Sequence, residues 1–595
     1  MNKSNSQDII ISAAVTLVLF TVIGICYDLV YYLNDDVMIQ SILSGRFSGT
    51  VSGMAVYFNQ PLSSLLAFLY YIIPGIPWFG VLLEGCYVLC FFLVLYFSLK
   101  HLNESTGTSG KVTSKIFLCI LCAAIFLGFF LGQYLMPHYT VAAAVVGGTA
   151  LYLFLISKES REWKETIRLT WPSVVLLLFC YLIRTNVFFM VLPFLAVAGI
   201  YRMVKTKSIV NYFAPLLLLA GGILLFMLIG KLSYKDASWK EYLAYNDART
   251  TLYDFVGVWE DDTAMKYYAE QGYQPEEILI YKEYNILLNE NLTTGDLEIL
   301  AAYENLMPGR NLTTVQKLKE GFWLYRNREL TAVEDTVYSQ MILIIYLLAV
   351  VLMAVGKDGR SLLMLALLGC ARSFVWIYIL GAGRYPERIT NSLYLIELLV
   401  LLAMIVNTME LLAASGINRS AGAAFSVMKR IGIILVNSIL FILSIEAING
   451  ILPDALERSR QQITINEEED KLYDYMKSHP ENLYFIDVYS VVRHTEYVFK
   501  DYDKVYENYM MLGGWIAGSP LVSEKLAEWG YGSAFEALLD GENVYLVLKD
   551  GVGMTLEELQ AYYALRNEGD NDFRQIEVIE TGRGIYRIYQ NASGF

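Results

Sequence analysis

Long apolar runs separated by short polar connections occupy most of the chain. Eleven runs approach or exceed the ~20 residues that cross a hydrocarbon core about 30 Å thick. They lie near 9–30, 76–99, 113–132, 138–157, 169–184, 186–203, 210–231, 337–356, 360–380, 389–413 and 428–449. The pattern therefore predicts an α-helical polytopic membrane protein. The first run follows a short polar start without a small-residue cleavage site, so we expect it to be retained as a span.

A shorter apolar run covers residues 61–73 and ends in Pro74-Gly75-Ile76-Pro77. It is too short to cross a bilayer comfortably, so it predicts an interfacial or re-entrant helix. Counting it as a twelfth span would also place the basic loops on both sides of the membrane. With eleven spans, the Lys- and Arg-bearing short loops near 100–115, 158–168, 202–207, 357–360 and 419–430 all lie on one side. Because such loops stay in the cytoplasm, we expect a cytoplasmic amino terminus and an extracytoplasmic carboxyl terminus in a plasma membrane.

This orientation places three long segments outside: 31–60, 232–335 and 451–595. The predicted organisation is a seven-span core over 1–231, a helical insertion over 232–335, four further spans over 336–450 and an α/β domain over 451–595. In that last domain, helical patterns at 467–477 and 555–567 alternate with β-rich runs at 483–487, 544–549, 575–580 and 584–589.

Composition narrows the function classes. Only 17% of residues are charged, against 55% hydrophobic, as expected where lipid is the solvent. The net charge of −14 comes mainly from the soluble segments, and no basic stripe suggests a nucleic-acid partner. All seven cysteines fall in apolar runs, which excludes a disulfide framework and a Cys-based zinc site in the soluble segments.

Two adjacent carboxylates, Asp35 and Asp36, follow the first span directly. Each disfavours ionisation of the other, and the nearby lipid adds a desolvation cost. One interpretation makes one of them a base for an acceptor hydroxyl, while the other orients substrate or binds a divalent cation. The alternative is a solvated turn that caps the next helix. The sequence does not identify the remaining oxygen ligands that a cation would need.

Basic residues are scarce on the predicted outer side, and three arginines are exceptions. Arg184 ends the fifth span, and Arg384 and Arg388 precede the tenth. The planar guanidinium suits bidentate phosphate binding at the depth of a lipid headgroup, although snorkelling or pairing with Glu387 would also explain an arginine there. His138, at the outer end of a span, is a further candidate for binding the phosphate, with a purely structural role as its alternative.

Polar and aromatic residues that can bind a sugar lie in the same outer segments: Tyr57, Gln60, Asn246 and Arg249. The helix carrying Asn246 and Arg249 can equally be packed over the membrane domain. Trp515, in a glycine-rich turn of the last domain, is either a platform for a sugar ring or a buried anchor. Nucleotide-binding loops, a serine-nucleophile elbow and a zinc-protease helix are all missing from the sequence.

The arrangement resembles the GT-C superfamily of membrane glycosyltransferases, whose members carry an acidic residue or pair in the first outer loop. Asp35 and Asp36 occupy that position, residues 61–73 resemble the interfacial helix, and 451–595 resembles the appended domain. The chain also resembles bacterial multi-span membrane proteins with an Asn-Asp-Asp first loop, which implies a bacterial source. The resemblance implies inverting transfer of a sugar from a polyprenyl-phosphate carrier to a glycan, lipid or protein acceptor, with membrane lipid as a further partner. The Trp-Trp-Asp signature of oligosaccharyltransferases is missing, which argues against protein N-glycosylation.

Two other function classes fit a chain of this kind. A transporter or lipid flippase would place ionisable residues at mid-membrane depth, whereas here only Glu84 and Glu397 are candidates. A non-catalytic protein of surface assembly would need its outer domains and not the aspartate pair.

Overall fold

The computed structural model describes residues 3–105, 111–160, 162–307, 312–331, 336–415, 423–500, 502–503, 505–566 and 572–591. Two of the basic loop residues, Arg161 and Arg419, lie outside these ranges. Within them, eleven helices are long and apolar enough to cross a membrane. The prediction of a multi-span helical protein is therefore confirmed.

Helices are numbered in chain order. The first part contains α1 Lys3–Cys26, α2 Asn34–Ser44, α3 Leu62–Ile72, α4 Trp78–Ser105, α5 Lys111–Ile125, α6 Leu131–Leu135, α7 Tyr139–Ile156, α8 Trp163–Ile183, α9 Thr185–Thr206 and α10 Val210–Ser233. A π-helical turn, Phe126–Phe130, joins α5 to α6, and the three together form one span. The short helices α2 and α3 lie between the first two spans.

The first span ends earlier than its apolar run predicts, at Cys26 and not near residue 30. The backbone of the following residues finds partners elsewhere. The Val30 N–H donates to the carbonyl of Leu135 at 3.2 Å, and the Tyr31 N–H donates to the carbonyl of Glu496 at 2.9 Å. These bonds replace the helical ones and tie the approach to α2 to the C-terminal domain.

Helix α7 lies at the centre of the bundle, and every one of its residues is buried. Its Gly148 allows a close approach to a neighbouring span, because an added Cβ would lie 2.8 Å from Leu399 Cδ1 and 3.3 Å from Ile396 Cα. Small residues let membrane helices pack at short range, where packing contacts hold them together. The amino end of α7 is therefore held in place by packing, and so are the residues next to it.

The insertion consists of α11 Ala237–Thr251, α12 Asp262–Glu270, α13 Pro275–Lys282, α14 Thr294–Ala302 and α15 Thr314–Leu330. Four more spans follow: α16 Thr336–Val355, α17 Gly359–Gly381, α18 Glu387–Ser415 and α19 Ala423–Gly450. Arg372 of α17 links insertion and bundle, since it bonds Glu397 of α18 at 2.9 Å and Glu329 of α15 at 2.8 Å. Glu397, one of the two ionisable candidates at mid-membrane depth, is thus part of a structural ion pair.

The C-terminal domain is built on a five-stranded mixed sheet. Its helices are α20 Leu452–Lys477, α21 Val488–Val491, α22 Pro520–Glu528, α23 Ala534–Asp540 and α24 Leu556–Arg566, and its strands are β1 Leu483–Ile486, β2 Tyr509–Met511, β3 Val544–Lys549, β4 Phe573–Thr581 and β5 Gly584–Asn591. The strand order is β2-β1-β3-β5-β4. Strand β1 pairs in parallel with β2 and β3, whereas β5 pairs antiparallel with β3 and β4.

Four strands lie where the β-rich runs predict them, and the fold class of this domain is confirmed. The edge strand β2 was not predicted, because its three residues acquire strand structure only by pairing with β1, 25 residues earlier by the register of Tyr484 with Tyr509. Helix α20 begins fifteen residues before its predicted start at Glu467 and continues directly from α19. The domain is therefore carried on an extension of the last span.

Candidate functional site

A cavity of about 1400 Å³ lies where the membrane helices meet the insertion and the C-terminal domain. Its wall is formed by α2, by the junction of α8 and α9, by α11, by α17 and the turn before α18, and by the C-terminal segments 488–492 and 511–516. Both charged and apolar side chains line it. All three long segments that the sequence singles out therefore border one space.

The two aspartates lie in the first turn of α2 but in different surroundings. Asp35 is half-buried and lines the cavity. Asp36 is completely buried, and its Oδ1 accepts the backbone N–H of Tyr139 at 3.2 Å. A first-turn carboxylate is favoured by the helix dipole, yet burial of Asp36 does not fit a solvated capping turn. Of the two carboxylates, Asp35 is therefore the one that faces the cavity.

The surroundings also affect the pKa values of the two aspartates differently. Burial raises the pKa of Asp35, while Arg388 and Arg184 lower it and so oppose that shift. Burial and the neighbouring Asp35 carboxylate raise the pKa of Asp36 well above its usual value. The pair thus favours a single negative charge over two.

His138 is buried beside Asp36 and does not appear among the described residues of the cavity wall. Its Nδ1 accepts the N–H of Thr140 at 2.9 Å and caps α7. Its Nε2 lies 3.9 Å from Asp36 Oδ2. Burial lowers the pKa of this imidazole well below its usual value, so the ring is neutral and carries its proton on Nε2. In this position His138 faces Asp36 and not the cavity.

Arg184 and Arg388 both line the cavity. The Arg184 guanidinium lies 5.1 Å from the ring centres of Tyr57 and Tyr139 and donates to the Tyr57 carbonyl at 3.3 Å. Over the part of the chain that the structure describes, neither arginine has a carboxylate within 4 Å. Their charges are thus available to an anion in the cavity.

Arg384 also lines the cavity, but its charge is already engaged. Its guanidinium forms an ion pair with Asp254, which follows α11, and lies over the ring of Phe255 at 5.8 Å. No local pattern connects Arg384 with residue 254. Of the three predicted phosphate-binding arginines, this one differs in having a local counter-ion.

Three of the four predicted substrate-binding residues lie together. Arg249 donates to Asn246 Oδ1 at 2.8 Å and to the Tyr57 hydroxyl at 2.9 Å, and all three border the cavity. Gln60 lies apart from them. Its amide donates to the Gly53 carbonyl at 2.5 Å and its oxygen accepts the Ser64 hydroxyl, so it shapes the loop between α2 and α3.

The C-terminal domain contributes part of the cavity wall, and of its residues there the sequence singles out only Trp515 and its glycine-rich turn. Tyr489 borders the cavity and is 39% exposed, and Trp515 packs against Tyr57 with ring centres 5.0 Å apart. Trp515 is 7% exposed, which fits an anchor better than an open platform. Gly513 lies so close to the Tyr284 carbonyl that any Cβ would collide with it. The glycine-rich turn was the visible signal for this wall.

A metal ion needs several carboxylate, imidazole or thiolate ligands close together. The described ranges contain no cluster of three or more His, Cys, Asp and Glu side chains that could hold one. The positive charges at the cavity are those of arginine side chains.

No family model and no curated protein matches this chain. Among solved structures it is similar to the crystal structure of ArnT from Cupriavidus metallidurans bound to undecaprenyl phosphate. The match covers 98% of each chain at 10% sequence identity, with a TM-score of 0.40.

Proposed function

We propose that this protein is a membrane glycosyltransferase that moves a sugar from a polyprenyl-phosphate carrier to the hydroxyl of an acceptor. One observation carries the proposal: a half-buried carboxylate, Asp35, shares a cavity with Arg184 and Arg388, which have no carboxylate within 4 Å in the described part of the chain. A base beside an anion-binding centre is what displacement of a phosphate leaving group requires.

The cavity also has a side that suits a lipid chain. Phe189 and Met190 of α9 and Phe374 and Tyr378 of α17 border it, and both helices are membrane spans. Phe189, Phe374 and Tyr378 are each more than half exposed. Apolar side chains exposed to the bilayer offer a route by which an isoprenoid tail reaches the cavity while its phosphate turns toward the arginines.

In the proposed reaction, the Asp35 carboxylate accepts the proton of the acceptor hydroxyl as that oxygen attacks the anomeric carbon. The bond from this carbon to the phosphate oxygen breaks, the configuration inverts, and polyprenyl phosphate leaves with its negative charge. Arg184 and Arg388 stabilise that charge. Asp36, held by the Tyr139 N–H, fixes the start of α2. The positive-inside pattern supports an extracytoplasmic site for this chemistry.

Binding of undecaprenyl phosphate to the full chain in lipid nanodiscs tests the anion centre. We expect Arg184→Gln and Arg388→Gln each to weaken binding by about tenfold or more, since a charge-assisted hydrogen bond contributes roughly 1.5–3 kcal/mol. Arg384→Gln should have a smaller effect, because Asp254 already neutralises that charge. Arg326, exposed on α15 over the Trp323 ring, provides the matched control. Unchanged affinity in the Arg184/Arg388 double variant would overturn the assignment.

Transfer itself is tested with radiolabelled sugars on undecaprenyl phosphate in vesicles, with cell-envelope membranes as acceptor. Asp35→Asn should lower the rate by about 10²–10⁴, the usual contribution of a general base, and leave carrier binding intact. Labelled donor that crosses the bilayer without covalent transfer would point instead to a flippase.

A further inference from the structure

The cavity contains a second cationic centre, and its guanidinium is buried. Arg249 of α11 is 3% exposed. Its Nε donates to Asn246 Oδ1 at 2.8 Å, and its Nη2 donates to the Tyr57 hydroxyl at 2.9 Å and to Thr250 Oγ1 at 2.7 Å. Its Nη1 donates to the Tyr284 hydroxyl. The side chain is thus held firmly in one orientation.

All four of these partners are neutral. Burial raises the pKa of Tyr284, which keeps its hydroxyl protonated. No carboxylate lies within 4 Å of Arg249 among the described residues, and the nearby Asp254 is paired with Arg384. A buried charge with hydrogen bonds but no counter-ion carries an electrostatic cost that a bound anion would offset. Mere packing of α11 would not require an arginine here.

Tyr57 contacts both this centre and the first one, to which Arg184 belongs. Its backbone carbonyl accepts from Arg184, whose guanidinium lies over the Tyr57 ring, and its hydroxyl accepts from Arg249. The two guanidinium groups therefore contact opposite ends of one tyrosine and border the same cavity. A single ligand of modest size can reach both.

We propose that Arg249, framed by Tyr57 and Tyr284, binds a second anionic group, phosphoryl or carboxylate, on the donor whose carrier phosphate lies at Arg184 and Arg388. This inference rests on the proposed function for the position of that first phosphate. The substrate class is then a donor with two anionic groups: a sugar on a polyprenyl diphosphate, or an acidic sugar on a monophosphate.

Three probes distinguish these sources with the full chain in nanodiscs: undecaprenyl phosphate, undecaprenyl diphosphate, and glucuronate added to the monophosphate complex. A phosphoryl source predicts that the wild-type protein binds the diphosphate at least tenfold more tightly than the monophosphate. Arg249→Gln should abolish that preference, while monophosphate binding remains measurable. A carboxylate source predicts no diphosphate preference but saturable glucuronate binding that Arg249→Gln removes.

Two further variants address folding and geometry. Arg249→Lys keeps the charge without the planar fork and should retain part of the preference. Tyr284→Phe removes one of the four hydrogen-bond partners and should reduce the preference without abolishing it. Retained monophosphate binding in each variant shows that the protein is folded. Loss of monophosphate binding on Arg184→Gln tests the proposed function separately.

A wild-type protein with neither a diphosphate preference nor Arg249-dependent glucuronate binding would overturn the inference. Binding of all three probes by Arg249→Gln at wild-type affinity would overturn it as well. In both cases the assignment of Arg184 and Arg388 to the carrier phosphate can still hold.

Discussion

Arg46 follows the carboxyl end of α2 and is buried between two glutamates of the C-terminal domain. Its Nη2 lies 2.8 Å from Glu496 Oε2, and its Nε lies 3.4 Å from Glu507 Oε1. The Arg46 side chain is 5% exposed. We predict that Arg46→Gln destabilises the full chain, because it leaves both carboxylates without the Arg46 charge at a site that is largely buried.

The magnitude follows from the surroundings of the two carboxylates. Removal of one partner from a buried ion pair typically costs about 3–5 kcal/mol. Glu496 is 23% exposed, so water can partly solvate it, whereas Glu507 is 7% exposed. Glu507 still accepts the hydroxyl of Ser41. We therefore expect a loss near the lower end, about 3 kcal/mol.

Equilibrium unfolding of the full chain in mixed detergent micelles, with SDS as denaturant, measures this loss. Arg587 is the matched control, since it pairs with Asp550 through bonds of 2.7 and 2.8 Å on the exposed surface of the same domain. Arg587→Gln should produce no measurable change, as exposed pairs contribute little. If Arg46→Gln were as mild as this control, the two glutamates would not depend on Arg46 and the reasoning would be refuted.

Three further predictions concern the site and the domain beside it. Arg388 opposes the raised pKa of Asp35, so Arg388→Gln should move the acid limb of kcat to higher pH at saturating donor; an unmoved limb would exclude Asp35 as the base. Burial lowers the pKa of Lys525 to about 8 from 10.5, so the unfolded chain binds the extra proton between these values and stability should rise with pH there. Lys525→Met should flatten that rise in pH-dependent unfolding, and an unchanged slope would contradict the assignment. Gly513→Ala should lower thermal stability, by about 1–3 kcal/mol, because its methyl meets the Tyr284 carbonyl. An unchanged melting temperature would show that the turn moves to accommodate the methyl group.

The number and type of membrane helices could be predicted because a span is a local property of about 20 successive residues. Element ends and short elements depend on partners far away. The first span stops at Cys26 because Val30 and Tyr31 bond to residues 135 and 496. Strand β2 exists only beside β1. Such pairings leave little trace in the local sequence.

The candidate site shows the same contrast between what the local sequence reveals and what depends on distant contacts. Adjacent aspartates and outlying arginines are visible as residue types in unusual places, and Asp35, Arg184 and Arg388 do border one cavity. Their different circumstances are set by contacts between distant segments. Burial of Asp36 against α7 and pairing of Arg384 with Asp254 follow from helix packing that no local pattern reveals.

The stretch from Glu507 to Ile516 takes part in two different contacts within ten residues. Its start binds Ser41 of α2 and Arg46 just after that helix. Its end forms part of the cavity wall, and there the Trp515 carbonyl accepts the Tyr242 hydroxyl at 2.6 Å. The C-terminal domain therefore cannot be exchanged on its own in protein engineering. A chimera that grafts a foreign C-terminal domain after the last span would need to import the matching residues of the segment 41–46 and of α11 as well.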